Sequence, residues 1–92
     1  MDVKTILLVD DEEAVLTVLK NSLMGLGQDY RILTAREGRE ALRYLEKYSV
    51  DLIITDYQMS GMNGLELLEM THSLQPNTRV IFITAFGSDE VE

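Results

Sequence analysis

The chain has 92 residues, 46% of them apolar, and a formal charge of −8, which describes one domain with the material for a core and not a disordered chain. The acidic balance argues against direct nucleic-acid binding, which ordinarily needs a basic face. No apolar run approaches the roughly 18 residues of a bilayer span, "MDVK" does not open a signal peptide, and cysteine is absent, so the expectation is a soluble cytoplasmic protein without disulfides or thiolate metal sites.

Thr5 to Asp10 (TILLVD) is a β-branched and leucine run that reads as a buried strand, and it leads into four consecutive acids, Asp10 to Glu13. Residues 12–27 place Val15, Leu16, Leu19, Leu23 and Leu26 at the period of an amphipathic helix. Acids occupy its first turn, and Gly25 and Gly27 mark its end. Tyr30 to Ala35 (YRILTA) alternates like a more exposed strand, and residues 38–49 form a second helix with Ala41, Leu42 and Leu45 on one face. Val50 to Asp56 (VDLIITD) is almost continuously apolar, which predicts a strand covered on both sides. Gly61 to Gly64 (GMNG) reads as turn and cap chemistry. The third helix follows over residues 63–77, with Leu65, Leu68 and Thr71 inward and Pro76 just past its end. Arg79 to Ala85 (RVIFITA) predicts a fourth strand, and Ser88 the N-cap of another helix.

Strands alternating with helices through short connections predict a parallel sheet with helices on both faces and right-handed crossovers. The most apolar strands, the first and third, belong in the centre and YRILTA at an edge, giving the order 2-1-3-4 with the winding reversed between strands 1 and 3. Ligands bind beyond the carboxyl ends of the strands at such a reversal. Asp10 and Asp11 end strand 1 and Asp56 ends strand 3. With neighbouring strands about 4.8 Å apart, three carboxylates converge there and oppose one another's ionisation unless a cation is present. Mg2+ suits them, a hard ion that binds one or two carboxylates and keeps water and phosphate oxygens as its other ligands. A metal beside a correctly aimed aspartate also points to an aspartyl-phosphate. Thr84, ending strand 4, could then offer its hydroxyl to a phosphoryl oxygen, and the backbone N–H groups of Tyr57 and Ala85 could donate to the others.

The runs ILLVDDEE, DLIITDYQMSGMNGLELL and VIFITAF resemble, in order and spacing, the receiver domain of two-component response regulators. That resemblance implies a flavodoxin-like doubly wound fold in which a sensor histidine kinase transfers a phosphoryl group to Asp56. It assigns Mg2+ to Asp10, Asp11 and Asp56 with the backbone carbonyl of Gln58, and makes Thr84 the switch hydroxyl. Two departures stand out. The family's proline after the acceptor is replaced by Ser60, which should loosen the loop. The family's fifth strand, with its phosphoryl-pairing lysine, and its fifth helix are missing. The last lysine here is Lys47. The expectation is therefore a receiver domain over residues 1–92, incomplete at its C-terminus, belonging to a longer regulator with an output domain. Failing that, it would pair with a second copy through strand 4, an open apolar edge, or exchange with it the elements that follow Asp56.

Two other functions compete. A receiver-like interaction module working without phosphorylation is favoured by the missing lysine and opposed by the intact set Asp10, Asp11, Asp56 and Thr84. An Mg2+-dependent phosphohydrolase would want a second aspartate two residues after the nucleophile, where Gln58 stands. On this reading the chain is a phosphoprotein switch and not an enzyme. His72, within the third helix, reads as a surface residue.

Overall fold

Leu7 and Leu8 are consecutive residues and both are fully buried, which requires cover on both faces of their strand. The computed structural model describes residues 3–27, 29–59 and 61–83 and supplies that cover. Its elements are β1 (Lys4–Val9), α1 (Glu13–Met24), β2 (Tyr30–Ala35), α2 (Gly38–Lys47), β3 (Leu52–Asp56), α3 (Gly64–Leu74) and β4 (Arg79–Ile83). The strands form a parallel sheet in the order β2-β1-β3-β4, as the apolar content of the strands predicted. This is the flavodoxin-like doubly wound arrangement.

Side chains alternate across a strand, and β1 divides its residues accordingly. Leu7 and Val9 join Ala41 and Leu45 of α2, Ile53 of β3 and Leu67 of α3 in one cluster. Ile6 and Leu8 pack with Leu16 of α1 on the other face. Fully burying a leucine or isoleucine contributes about 1.5–3 kcal/mol, so Leu7, Leu8, Ile53 and Leu67, all 0% exposed, anchor both layers.

The amino ends of the strands are held by a polar clamp. Gln75, just after α3, donates from Nε2 to the carbonyls of Leu45 and Tyr48, each at 2.7 Å. Its Oε1 accepts the Val50 N–H at 2.9 Å. The end of α2 and the entry to β3 are thereby tied to the end of α3.

Three expectations need correction. Leu65 does not face inward: it is 45% exposed, and α3 buries Gly64, Leu67 and Thr71. Leu26 lies beyond α1 and is 57% exposed, because the helix stops at Met24 and the chain turns at Gly27, whose φ of 116° is left-handed. The third strand is not equally covered on its two faces: Ile53 and Thr55 are buried, whereas Leu52 and Ile54 are only partly so. The turn-and-cap reading of residues 61–64 holds. Gly61 has φ 80°, and Asn63 forms a capping box with Glu66.

Candidate functional site

The parallel register fixes where the acids fall. Val9 pairs with Ala35 on one side and Thr55 on the other, so Asp10 and Asp56 leave adjacent strands at the same level. One carboxylate oxygen from each of Asp10, Asp11 and Asp56 lies within 4.8 Å of the others. Asp10 is 4% exposed, so the acidic run is not merely a solvated first turn. Its backbone N–H donates to the Ala35 carbonyl at 3.1 Å, and its Oδ1 accepts the Glu12 N–H at 2.8 Å. Burial pushes the Asp10 carboxyl above its ordinary pKa; the Glu12 N–H opposes the shift, and the charges of Asp56, Asp11 and Glu12 add to it.

Asp56 is positioned from below and from beyond. The Thr55 hydroxyl donates to the Asp56 carbonyl at 3.0 Å, and the Gln58 N–H reaches Asp56 Oδ1 at 3.3 Å. The loop then closes on α3, where the Gly64 N–H donates to the Tyr57 carbonyl at 2.7 Å. Only glycine fits at position 64, since a Cβ there would lie 2.9 Å from both the Asp56 carbonyl oxygen and Tyr57 Cα. The neighbouring Tyr57 and Phe82 rings meet edge to face, with centroids 5.5 Å apart.

Asp10, Asp11 and Asp56 therefore come together as the strand order predicted, with Gln58 beside them on the loop. Thr84, the proposed switch hydroxyl, lies outside the described residues, as do Ser60, Ala85 and Ser88. His72 is exposed in the last turn of α3.

Sequence reasoning missed Arg36. Its Nη2 donates to the Asp11 carbonyl at 3.2 Å, its Nη1 lies 4.0 Å from Glu13 Oε1, and its N–H donates to Glu40 Oε1 at 2.9 Å. A cation directly after an edge strand could have drawn attention once the strand order placed it beside the acids.

The donor set fits a hard divalent cation. It is made of oxygen ligands alone, and a nearly buried carboxylate whose ionisation is opposed by burial and by three neighbouring acids gains from a positive charge. The arrangement also leaves Asp56 as the acid carried by β3, aimed beside the pair carried by β1.

Comparisons with known proteins agree with this geometry. The family model for the response regulator receiver domain matches residues 6–92, and the chain belongs to that family. It is 41% identical over 83 residues to the transcriptional regulatory protein GlrR of Escherichia coli, a match covering 90% of this chain and 18% of that protein. The chain thus spans under a fifth of that relative's length. Among solved structures, the response regulator protein TrrA of Thermotoga maritima, in complex with Mg(2+)-BeF, is 35% identical with a TM-score of 0.83, covering 97% of this chain and 76% of that one. A response regulator protein from Burkholderia pseudomallei with a phosphorylated aspartic acid, calcium ion and citrate is 28% identical with a TM-score of 0.80, covering 88% of this chain and 46% of that one. Among the described residues, no helix is long and apolar enough to cross a membrane.

Proposed function

We propose that the chain is a phosphoacceptor switch of a cytoplasmic two-component relay, in which Asp56 takes a phosphoryl group from a sensor histidine kinase. One observation carries the reading: carboxylate oxygens of Asp10, Asp11 and Asp56 gather within 4.8 Å at the winding reversal of a receiver fold. Asp10, Asp11 and Asp56, with the Gln58 carbonyl, would hold Mg2+. When bound, the ion neutralises charge on the carboxylates and on the phosphoryl oxygens.

The protein's own part is positioning. An Asp56 carboxylate oxygen forms the new P–O bond as the P–N bond to the kinase histidine breaks, and the imidazole nitrogen keeps the electron pair. The N–H of Gln58 and the Thr55–Asp56 bond fix the acceptor's direction, which limits the reorganisation needed during transfer. The Thr84 hydroxyl then engages the phosphoryl group and carries the conformational response. The chain so acts as acceptor and switch and not as an enzyme, passing its state to an output domain of the kind a transcriptional regulator such as GlrR implies.

The test is labelling with acetyl phosphate or a kinase in Mg2+. Asp56→Asn should abolish an acid-labile label, and Thr84→Ala should keep the label while losing the conformational response. Asp11→Asn should weaken Mg2+ binding at least about tenfold, or roughly 1.4 kcal/mol, measured by calorimetry. An acid-stable label, or undiminished labelling of the Asp56→Asn variant, would overturn the assignment of Asp56. Equal Mg2+ affinity after Asp11→Asn would overturn the metal site.

A further inference from the structure

The sequence holds three asparagines, Asn21, Asn63 and Asn77, and only Asn63 is followed by glycine. A peptide nitrogen can attack the side-chain amide carbon of the asparagine before it, and glycine hinders this least, having no side chain beside that nitrogen. Asn63 is exposed, so its amide is open to water, whereas Gly64 is buried. The two reacting groups are held in opposite senses. Asn63 Oδ1 accepts the Glu66 N–H at 2.9 Å, at the amino end of α3. That donor draws charge from the amide carbon and would steady the oxygen of a tetrahedral intermediate. The nucleophile is restrained instead: the Gly64 N–H donates to the Tyr57 carbonyl at 2.7 Å. Its Cα is seated where a Cβ would come within 2.9 Å of Phe82, the Asp56 carbonyl oxygen and Tyr57 Cα.

We propose that Asn63 is a site of spontaneous deamidation gated by the hydrogen bond from Gly64 to Tyr57. When that bond opens, the Gly64 nitrogen bonds to Asn63 Cγ. The Cγ–Nδ2 bond breaks, and Nδ2 leaves as ammonia with the proton that Gly64 gives up. Water then opens the resulting succinimide. Cleavage of the new Cγ–N bond leaves aspartate. Cleavage of the former peptide bond leaves isoaspartate, whose main chain runs through the side chain and is longer by a methylene group. The two products differ in consequence. Aspartate keeps the N-cap, a role it fills as well as asparagine. Isoaspartate moves Gly64 out of its seat against Asp56 and Tyr57, so the modification reaches the acidic site through the backbone. The inference depends on neither Mg2+ nor phosphorylation of Asp56.

The test is to age the chain at mildly alkaline pH, folded and in urea, following each asparagine by peptide mapping and enzymatic methylation of isoaspartate. Modification should fall on Asn63 before Asn21 or Asn77. It should be at least about tenfold slower in the folded chain, since an opening that costs more than roughly 1.4 kcal/mol must precede it. Phe82→Leu gives up the edge-to-face contact with Tyr57 and loosens the seat of Gly64. It should speed hydrogen exchange of the Gly64 amide and modification of Asn63 by the same factor. A change in one rate without the other would overturn the gate, as would equal modification of the folded and unfolded chain. Asn63→Ser keeps the cap but cannot cyclise, and its Asp56 and Tyr57 amide signals should survive ageing in NMR spectra. The unaltered chain should lose those signals as isoaspartate accumulates, while a freshly made Asn63→Asp variant should show them. Signals that persist in the isoaspartyl product would overturn the link to the acidic site.

Discussion

A methyl group added at Gly64 tests whether the acidic site and the core beneath it form one mechanical unit. The Cβ would lie 2.8 Å from Phe82 Cε1 and 2.9 Å from the Asp56 carbonyl oxygen and from Tyr57 Cα. The Phe82 ring could swing aside only by giving up its edge-to-face contact with Tyr57. The two backbone atoms cannot yield without moving the segment that carries Asp56. Overpacking of this kind costs roughly 1–3 kcal/mol, and alanine recovers at most about 1 kcal/mol of helix propensity. A net loss of about 1–2 kcal/mol should lower the Tm of a domain this size by about 5–15 °C. Because Asp56 moves with the strain, Mg2+ affinity should fall several-fold as well. Gly25→Ala is the control: its Cβ would approach only the Ser22 carbonyl oxygen, at 3.5 Å, and its φ of −70° is helical, so it should melt at or above the parent temperature. Thermal melts followed by circular dichroism, with Mg2+ titrations by calorimetry, measure both effects. A Gly64→Ala chain that melts within two or so degrees of the parent and binds Mg2+ equally well would refute the coupling.

Asp10 should make the metal-free chain sensitive to pH. Its carboxyl pKa lies above the ordinary 3.8 in the folded chain, so the folded state holds the proton more tightly than the unfolded one. Stability should therefore fall as pH rises from about the ordinary value through the raised one. Asp10→Asn should remove that decline and raise the Tm at pH 7 in EDTA, and an unchanged pH profile would count against the burial argument. Gln75→Ala should cost about 2–4 kcal/mol in urea denaturation, since it leaves the Val50 N–H and the carbonyls of Leu45 and Tyr48 without this partner; a loss below about 0.5 kcal/mol would mean that water replaces the clamp. Thr71→Val should stabilise the chain by about 1 kcal/mol, because the Thr71 hydroxyl is buried without a hydrogen-bond partner among the described residues. A loss of stability in the same denaturation assay would imply a partner such as an ordered water.

The helices and strands were legible where a single period dominates. β1 and α2 announce themselves because, Thr5 apart, every core position in them is apolar or glycine, and the relative apolarity of the strands was enough to order the sheet. The inward face of α3 was not legible in the same way. Leu65 with Leu68, and Leu67 with Thr71, each form a plausible stripe, and periodicity cannot choose between faces that both carry leucine. The choice is made by Gly64, whose missing side chain lets the start of α3 close onto Asp56, Tyr57 and Phe82. Once that residue faces inward, Leu67 and Thr71 follow at helical spacing and Leu65 is turned outward. The same distinction separates the site residues. Asp10, Asp11 and Asp56 could be assembled on paper because each ends a strand whose place in the sheet was inferable. Arg36 and Gln75 act through hydrogen bonds to groups 25 to 30 residues away, and such polar contacts leave no periodic trace. Gly64 belongs to both groups: its turn chemistry was visible in GMNG, but only the packed structure shows that this glycine sets the helix face and seats the loop after Asp56. A substitution there should accordingly disturb the core and the site together, whereas one at Gln75 should disturb the opposite end of the sheet and leave the acids in place.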